Sequence, residues 1–264
     1  MAGHSFEPAG KTVVVTGAAS GIGFALAKAL GEGGAAQIYI TDLPGERLDQ
    51  AAAELGATEI TCDAGSEPQT RAMIEQVLDQ AGHIDLFCAN AGIMTIGDAD
   101  LPDAEWTRMF EINVMSHVWA TRYALPQMLE RGSGHFLITS SAAGLLSAIG
   151  SAPYSMTKHA AIGYAEWLAY TYKDQGIGVT ALCPQAVRTD MTKGFEDSPA
   201  SIDGMIEPDH VARVAVETMA AGSFLALPHA QVSEYIVQKA SNYDRWVGGM
   251  AKLQRMFNPD GTRK

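Results

Sequence analysis

The sequence predicts an α/β fold: a doubly wound, seven-stranded parallel sheet, Rossmann-like, with helices on both faces. Three observations predict it. Short apolar runs rich in β-branched or aromatic residues alternate with longer stretches of helical spacing. The first of these runs, Val13-Val14-Val15, is apolar without alternation, as suits a strand covered on both faces. Polar or glycine signals recur where the runs end, at the glycine loop, Asp42, Asp63 and Asn90. Ligands of such sheets sit beyond the strands' carboxyl ends, so these signals converge on one edge.

The opening strand stops at Thr16-Gly17, and Ser20-Gly21-Ile22-Gly23 then leads into the helical run FALAKAL. A strand entering a helix through glycines leaves the first N–H groups of the helix open to an anion, and the helix dipole strengthens the site. A Cβ at Gly17, Gly21 or Gly23 would hold a pyrophosphate away from the backbone. The spacing is G-x-x-x-G-x-G, and it points to a dinucleotide.

Residues 37–41 read as the second strand, ending at Asp42-Leu43. An acid about twenty positions past the glycine loop can accept hydrogen bonds from a ribose 2′-OH and repels a 2′-phosphate. No Arg or Lys lies in Ala18–Ser20 or directly after Asp42, and Arg47 is the first cation available. NAD is therefore expected rather than NADP. The alternative is that Asp42 caps the helix beginning near Pro44-Gly45. Residues 58–62 form the third strand, ending at Asp63-Ala64, and residues 67–80 have helical spacing. The fourth strand, 84–88, runs into Ala89-Asn90-Ala91-Gly92. Right-handed crossovers join such strands.

Residues 106–130 read as one long helix, apolar around more than one face, which Pro126 should bend or end. Asn113 lies within it among apolar neighbours. The fifth strand, 134–139, ends at Ser140-Ser141, and an apolar loop is expected over 142–153. Tyr154 then opens a helix to about Lys173. Tyr154 and Lys158, four apart, share a helix face. Both long helices are apolar around most of their circumference, so a second copy of the chain is expected against them, in a homodimer or homotetramer. The sixth strand, 177–182, leads to Pro184-Gln185 and Val187-Arg188-Thr189. Residues 190–207 read as a flap with apolar contacts. A helix over 208–221, a last strand over 224–227, a helical segment over 231–257 and a loose polar tail complete the chain. With no linker or repeat, residues 1–264 are expected to form a single domain.

Composition narrows the function classes. The net charge is −12 with no basic run in the body of the chain, which argues against nucleic acid. No apolar run reaches membrane-spanning length, and the first ten residues lack the charge and apolar pattern of a secretory signal. Cys62, Cys88 and Cys183 sit far apart in strand-like runs, as expected of reduced thiols in a cytoplasmic protein. The seven histidines show no metal-ligand spacing, so no metal is expected.

Taken together, TGAASGIG at 16–23, ANAG at 89–92, Asn113 in EINV, Ser141, YSMTK at 154–158 and CPQAVRT at 183–189 resemble the short-chain dehydrogenase/reductase family in its short single-domain form. Ser141 rather than Ser140 stands at the family's usual interval before Tyr154. The resemblance implies an NAD-dependent oxidoreductase acting on an alcohol or carbonyl group. It places Thr16, Asn90, Ala91 and Gly92 at the central sheet and cofactor ribose, Asp63 and Ala64 beside adenine, and Pro184, Val187 and Thr189 at the nicotinamide carboxamide. Gln185 stands where the family commonly has glycine, and could present a side-chain amide to substrate.

The implied chemistry is hydride transfer between NAD(H) and a secondary alcohol or ketone. A free tyrosine has pKa ~10; if Lys158 and an oxidised nicotinamide each favoured phenolate by about 1–2 kcal/mol, the value would fall by roughly 1.5–3 units. Tyr154 would then serve as general base or acid. Ser141 would orient the substrate oxygen, Lys158 would also bind the ribose, and Asn113 would hold a water in a proton relay. Met94, Ile149, Met191, Phe195 and Met205 suggest an apolar pocket and a hydrophobic substrate. A non-catalytic NAD(H)-binding regulator and a hydride-borrowing epimerase or dehydratase are the rival readings. The complete Asn113, Ser141, Tyr154 and Lys158 set argues against the first, and the lack of a larger C-terminal region against the second.

Overall fold

A computed structural model describes residues 4–258. Seven parallel strands form one sheet in the order β3-β2-β1-β4-β5-β6-β7. They are β1 (Thr12–Thr16), β2 (Gln37–Asp42), β3 (Thr58–Thr61), β4 (Leu86–Ala89), β5 (Gly134–Thr139), β6 (Ile177–Leu182) and β7 (Leu225–Ala226). The order reverses at β1. Val14 pairs with Tyr39 of β2 on one side and Phe87 of β4 on the other. The switch point, and with it the ligand crevice, therefore lies between β1 and β4.

Strand alternation divides the core between the two faces. Val14, Phe87, Phe136 and Ile138 turn to the face covered by α3 (Glu67–Ala81), α5 (Ser116–Arg131) and α7 (Ala152–Tyr172), meeting Ile74, Met128 and Leu168. Val13, Val15, Leu86 and Leu137 turn to the other, where α1 (Gly21–Glu32), α2 (Glu46–Leu55) and α8 (Pro208–Ala220) supply Leu26, Leu30, Leu48 and Met219. Because both faces are covered, the central strands β1 and β4 are buried along their whole length, whereas the edge strand β3 exposes Thr58, Glu59 and Thr61.

Several elements differ from expectation. The long helix starts at α4 (Asp103–Phe110), widens into a π-turn over Glu111–Met115, and continues as α5. Pro126 does not end it, and α5 runs five residues further, to Arg131. Beside the proline, the Gln127 amide donates to Ala124 O at 2.9 Å and to Ile84 O at 3.1 Å, tying the turn to the sheet. The expected loop 142–153 contains a short helix, α6 (Ala143–Leu146). The flap holds two 3₁₀ turns, Asp190–Thr192 and Pro199–Ser201. The C-terminal segment breaks at Asn242 into α9 (Gln231–Ser241) and α10 (Tyr243–Gln254). Residues 259–264 of the expected loose tail lie outside the described residues.

Two fully buried histidines make stability pH-dependent. Burial pushes His117 and His135 down to about 3. An unfolded histidine titrates near 6.5, so between those values the unfolded chain binds more protons than the folded one. Folding stability is thus expected to fall as pH drops from about 6.5 toward 3. Asp85, held low by Arg131 and the Thr12 N–H against the opposing effect of its burial, extends the loss at the acid end. Thermal unfolding midpoints measured from pH ~7 to ~4 should decline steadily; a flat profile would contradict neutral burial of both imidazoles.

Candidate active site

The end of β1 and the end of β4 are tied together at the switch point. Thr16 Oγ1 accepts from the Asn90 and Ala91 N–H groups, each at 3.0 Å, and Asn90 Nδ2 donates to Thr16 O at 3.0 Å. Against this floor α1 begins at very close range. Gly17 has φ +64°, and a Cβ there would lie 2.8 Å from Ala91 Cα. A Cβ on Gly23 would lie 2.1 Å from Gly17 O. Ser20 makes no side-chain cap and the first turn holds no acid, so the leading N–H groups of α1 stay open to the cleft that Gly21, Ile22 and Gly23 line. A Cβ on Gly21 would close to 3.2 Å from Thr189 Cγ2 across that gap. This cradle fits a pyrophosphate.

Asp42 faces the same loop. Its Oδ2 accepts from Ala19 N at 3.0 Å and its Oδ1 from Leu43 N at 2.8 Å. The residue that caps α2 is Gly45, so the capping alternative for Asp42 is not what forms. Arg47, the first cation after Asp42, is paired with Asp190 at 2.6 Å. Asp63 Oδ1 accepts from Gly65 N at 2.9 Å, and Asp63 and Ala64 line the cleft beyond Leu43.

The reactive side chains come from β5, α7 and the turn after β6. Ser151 caps α7, its hydroxyl accepting from Tyr154 N at 3.3 Å and donating to Thr95 O at 2.6 Å, which fixes where Tyr154 enters. Lys158 is 3% exposed. Its Nζ donates to Thr139 O at 3.1 Å and stands 5.6 Å from the centre of the Tyr154 ring. Burial pushes Lys158 down to about 8. Burial also raises the Tyr154 phenol, with a Ser141 hydrogen bond pulling the other way. The expectation that Lys158 helps depress Tyr154 is therefore not met by the protein alone, where desolvation dominates and the lowering influence is the Ser141 hydrogen bond. Ser141 Oγ donates to Pro184 O at 3.3 Å and accepts from Ala143 N at 3.1 Å, whereas Ser140 Oγ is committed to Lys158 O at 2.9 Å.

Asn113 sits in the π-turn, fully buried, and does not line the cleft. Its amide accepts from Ile93 N and donates to Ile93 O, both at 2.9 Å, and donates to Thr157 Oγ1 at 3.2 Å. Gly92 separates it from Lys158: a Cβ there would lie 3.2 Å from Asn113 Oδ1 and 3.4 Å from Lys158 Nζ. Pro184, Gln185, Val187 and Thr189 line the cleft opposite. His229 Nδ1 accepts from Gln185 N at 3.2 Å, while Gln185 Oε1 is buried without a partner.

Residues 11–200 match the family model described as short chain dehydrogenase. The chain belongs to the short-chain dehydrogenase family. It is 33% identical over 224 residues to 1-deoxy-11-beta-hydroxypentalenate dehydrogenase of Streptomyces exfoliatus, covering 81% of each chain. It is 32% identical over 220 residues to epidermal retinol dehydrogenase 2 of Homo sapiens, covering 80% of this chain and 71% of that protein. A crystal structure of a short chain dehydrogenase/reductase from Burkholderia phymatum in complex with NAD matches with a TM-score of 0.82 at 25% identity, covering 91% of this chain and 96% of that one. These relatives make it an oxidoreductase that uses a nicotinamide cofactor.

In this short-chain dehydrogenase the cleft holds about 1460 Å³. A single small-ligand site occupies roughly 300–1,000 Å³, so there is room for cofactor and substrate together. Met94, Ile149, Met191 and Phe195 line it as expected. Met205 does not; it lines a separate recess with Phe24 and Arg188, because the flap turns it outward past the Val187–Ile206 bridge. Sequence reasoning missed Thr192, whose hydroxyl donates to Val187 O at 2.5 Å and braces the turn carrying Thr189. It also missed that the helical segment it expected over 231–257 brings Gln238, Trp246 and Met250 to the cleft. The apolar spacing of that segment looks the same whether it faces a core or a ligand. Among the described residues no acid, His and Cys cluster could hold a metal, and no helix is long and apolar enough to cross a membrane.

Proposed function

We propose that this enzyme interconverts a secondary alcohol and its ketone with NAD(H), using Tyr154 as general acid/base. The observation that carries the reading is the grouping of Tyr154, Lys158 and Ser141 beside a glycine cradle in one cleft. A nicotinamide bound in the cleft would supply the acceptor for the hydride of the alcohol carbon. The protein's part is the proton. Tyr154 Oη receives it from the substrate hydroxyl, which Ser141 orients. Since burial holds the phenol up in the protein alone, the positive charge of oxidised nicotinamide supports the drop that base catalysis needs. Lys158, anchored on Thr139 O, binds the nicotinamide ribose, and in this reading Asn113 would hold a water in a proton relay reaching Lys158.

Gly17, Ser20, Gly21, Ile22 and Gly23 hold the pyrophosphate in this reading. Asp42 and Leu43 take the adenosine ribose, Asp63 and Ala64 the adenine. Asn90, Ala91 and Gly92 support the second ribose, and Pro184, Val187 and Thr189 receive the carboxamide. The free amide oxygen of Gln185 supports a contact to substrate. The names of the relatives, a retinol dehydrogenase and a hydroxypentalenate dehydrogenase, favour an apolar substrate. Met156, Trp167 and Tyr170, exposed along α7, support pairing with a second copy, and three buried free thiols suit a cytoplasmic protein.

NAD is preferred over NADP because Asp42 stands at the ribose and Arg47 is committed to Asp190. A panel of alcohols and ketones with all four nicotinamides, followed by absorbance, tests the reading. Turnover should favour NAD(H), and Asp42→Ala should raise the KM for NAD about tenfold while narrowing the preference. A wild type that prefers NADPH overturns the cofactor choice. Tight NADH binding with no turnover of any alcohol or ketone would instead favour a non-catalytic regulator.

A further inference from the structure

One end of the cleft belongs to the C-terminal helices and the flap. Leu146, Ile149, Phe195, Ile202, Trp246 and Met250 wall it with apolar surface. Among the lining residues from Phe195 onward, Arg245 is the one charged side chain. Its guanidinium makes no ion pair or hydrogen bond among the described residues; the hydrogen bond recorded for it is from its backbone N–H to Asn242 Oδ1. Of the other described arginines, those at 47, 71, 122, 131, 188 and 213 hold carboxylates and Arg108 and Arg255 do not, so Arg108 and Arg245 are the two on the cleft without an ion pair among the described residues. Helix stability does not account for Arg245 either. It stands in the first turn of α10, where the helix dipole disfavours a cation. The remaining cations on the cleft are placed elsewhere. Lys158 is bound to Thr139, and Arg108 lies on α4, near Ile112, which meets Gly65 beside Asp63.

We propose that Arg245 receives a carboxylate at the far end of an apolar substrate, so that the enzyme acts on amphiphilic hydroxy or keto acids. The inference rests on the hydride-transfer reading above and names the substrate class of that same site. An apolar wall rewards a carbon skeleton, and a lone cation at its rim selects the end that carries negative charge. Recognition at a partly solvated rim lowers KM and is screened by salt, and it leaves the chemical step alone.

The test uses (ω−1)-hydroxy fatty acids of graded chain length, each beside its methyl ester. All are secondary alcohols, and the series scans the distance between hydroxyl and carboxylate. At one chain length the acid should show the lower KM. Arg245→Gln should raise that KM about fivefold, leave the ester within about twofold, and leave kcat unchanged. Added salt should erase the difference between acid and ester. Equal KM values for acid and ester at every length, or an equal loss on both in the variant, overturn the proposal. Ester turnover in the wild type keeps the hydride-transfer reading intact in that case. If neither form is turned over, the wider panel of alcohols and ketones decides the hydride-transfer reading, and quenching of tryptophan fluorescence decides the carboxylate site: acid binding that does not depend on Arg245 rejects it.

Discussion

Tyr154→Phe is expected to lower kcat about 10²- to 10⁴-fold, the range for loss of a positioned acid/base group, while NADH still binds. The substitution removes one oxygen and keeps the ring. Lys158 stays anchored on Thr139 O and Ser141 stays between Pro184 and Ala143. Cofactor affinity, read by NADH fluorescence, and the unfolding midpoint should therefore change little. The pH profile gives an independent readout. Burial raises the phenol in the protein alone, so alcohol oxidation should speed up with rising pH, and the variant should lose that dependence. Near wild-type turnover in the variant would remove Tyr154 from the chemistry.

The second large effect is expected at the cradle. In Gly23→Ala the new methyl would sit 2.1 Å from Gly17 O and 2.7 Å from Asn90 Nδ2. Neither neighbour can yield cheaply. Gly17 follows directly on β1, and Asn90 Nδ2 is bonded to Thr16 O. Forcing them apart costs about 1–3 kcal/mol in overpacking and displaces the start of α1. The dissociation constant for NADH should rise more than tenfold, and the unfolding midpoint should drop several degrees. A variant that folds and binds NADH normally would show that the close packing of α1 on the sheet is not what shapes the cofactor site.

Much of this architecture is legible in the sequence because its signals are local. The apolar runs of β1 and β4 have the unbroken character that two-sided burial imposes, and the strand ends deliver Gly17, Asn90, Ser141 and Pro184 to the cleft. The Tyr154 and Lys158 pairing follows from helical spacing alone. What stays hidden depends on contacts distant in sequence. The π-turn at Glu111–Met115 shifts the helix's phase by a single extra residue, too short a change for periodicity to record. Its partner is Ile93, twenty residues from Asn113, whose backbone the amide grips on both sides. The raised phenol is hidden for a related reason: a neighbouring lysine is visible in sequence, but the depth at which both are buried is not. Pro126 misleads because local propensity does not record the tertiary ties that Gln127 makes beside it.

The α9–α10 pair has a consequence for how such a chain diversifies. No residue of α10 is buried, and side chains added at Gly248 or Gly249 would meet only open space. Tyr154 and Lys158 stand instead on α7, with Lys158 anchored to Thr139 of β5, beside the hydrophobic cluster that α7 shares with the sheet. Substitutions along α10 therefore leave the interior alone, whereas α9 is tied in through Val232, which packs with Ala142 and Leu146. Surface substitutions along α10 can reshape one wall of the cleft at almost no thermodynamic penalty, while the side chains at the sheet's edge keep their places.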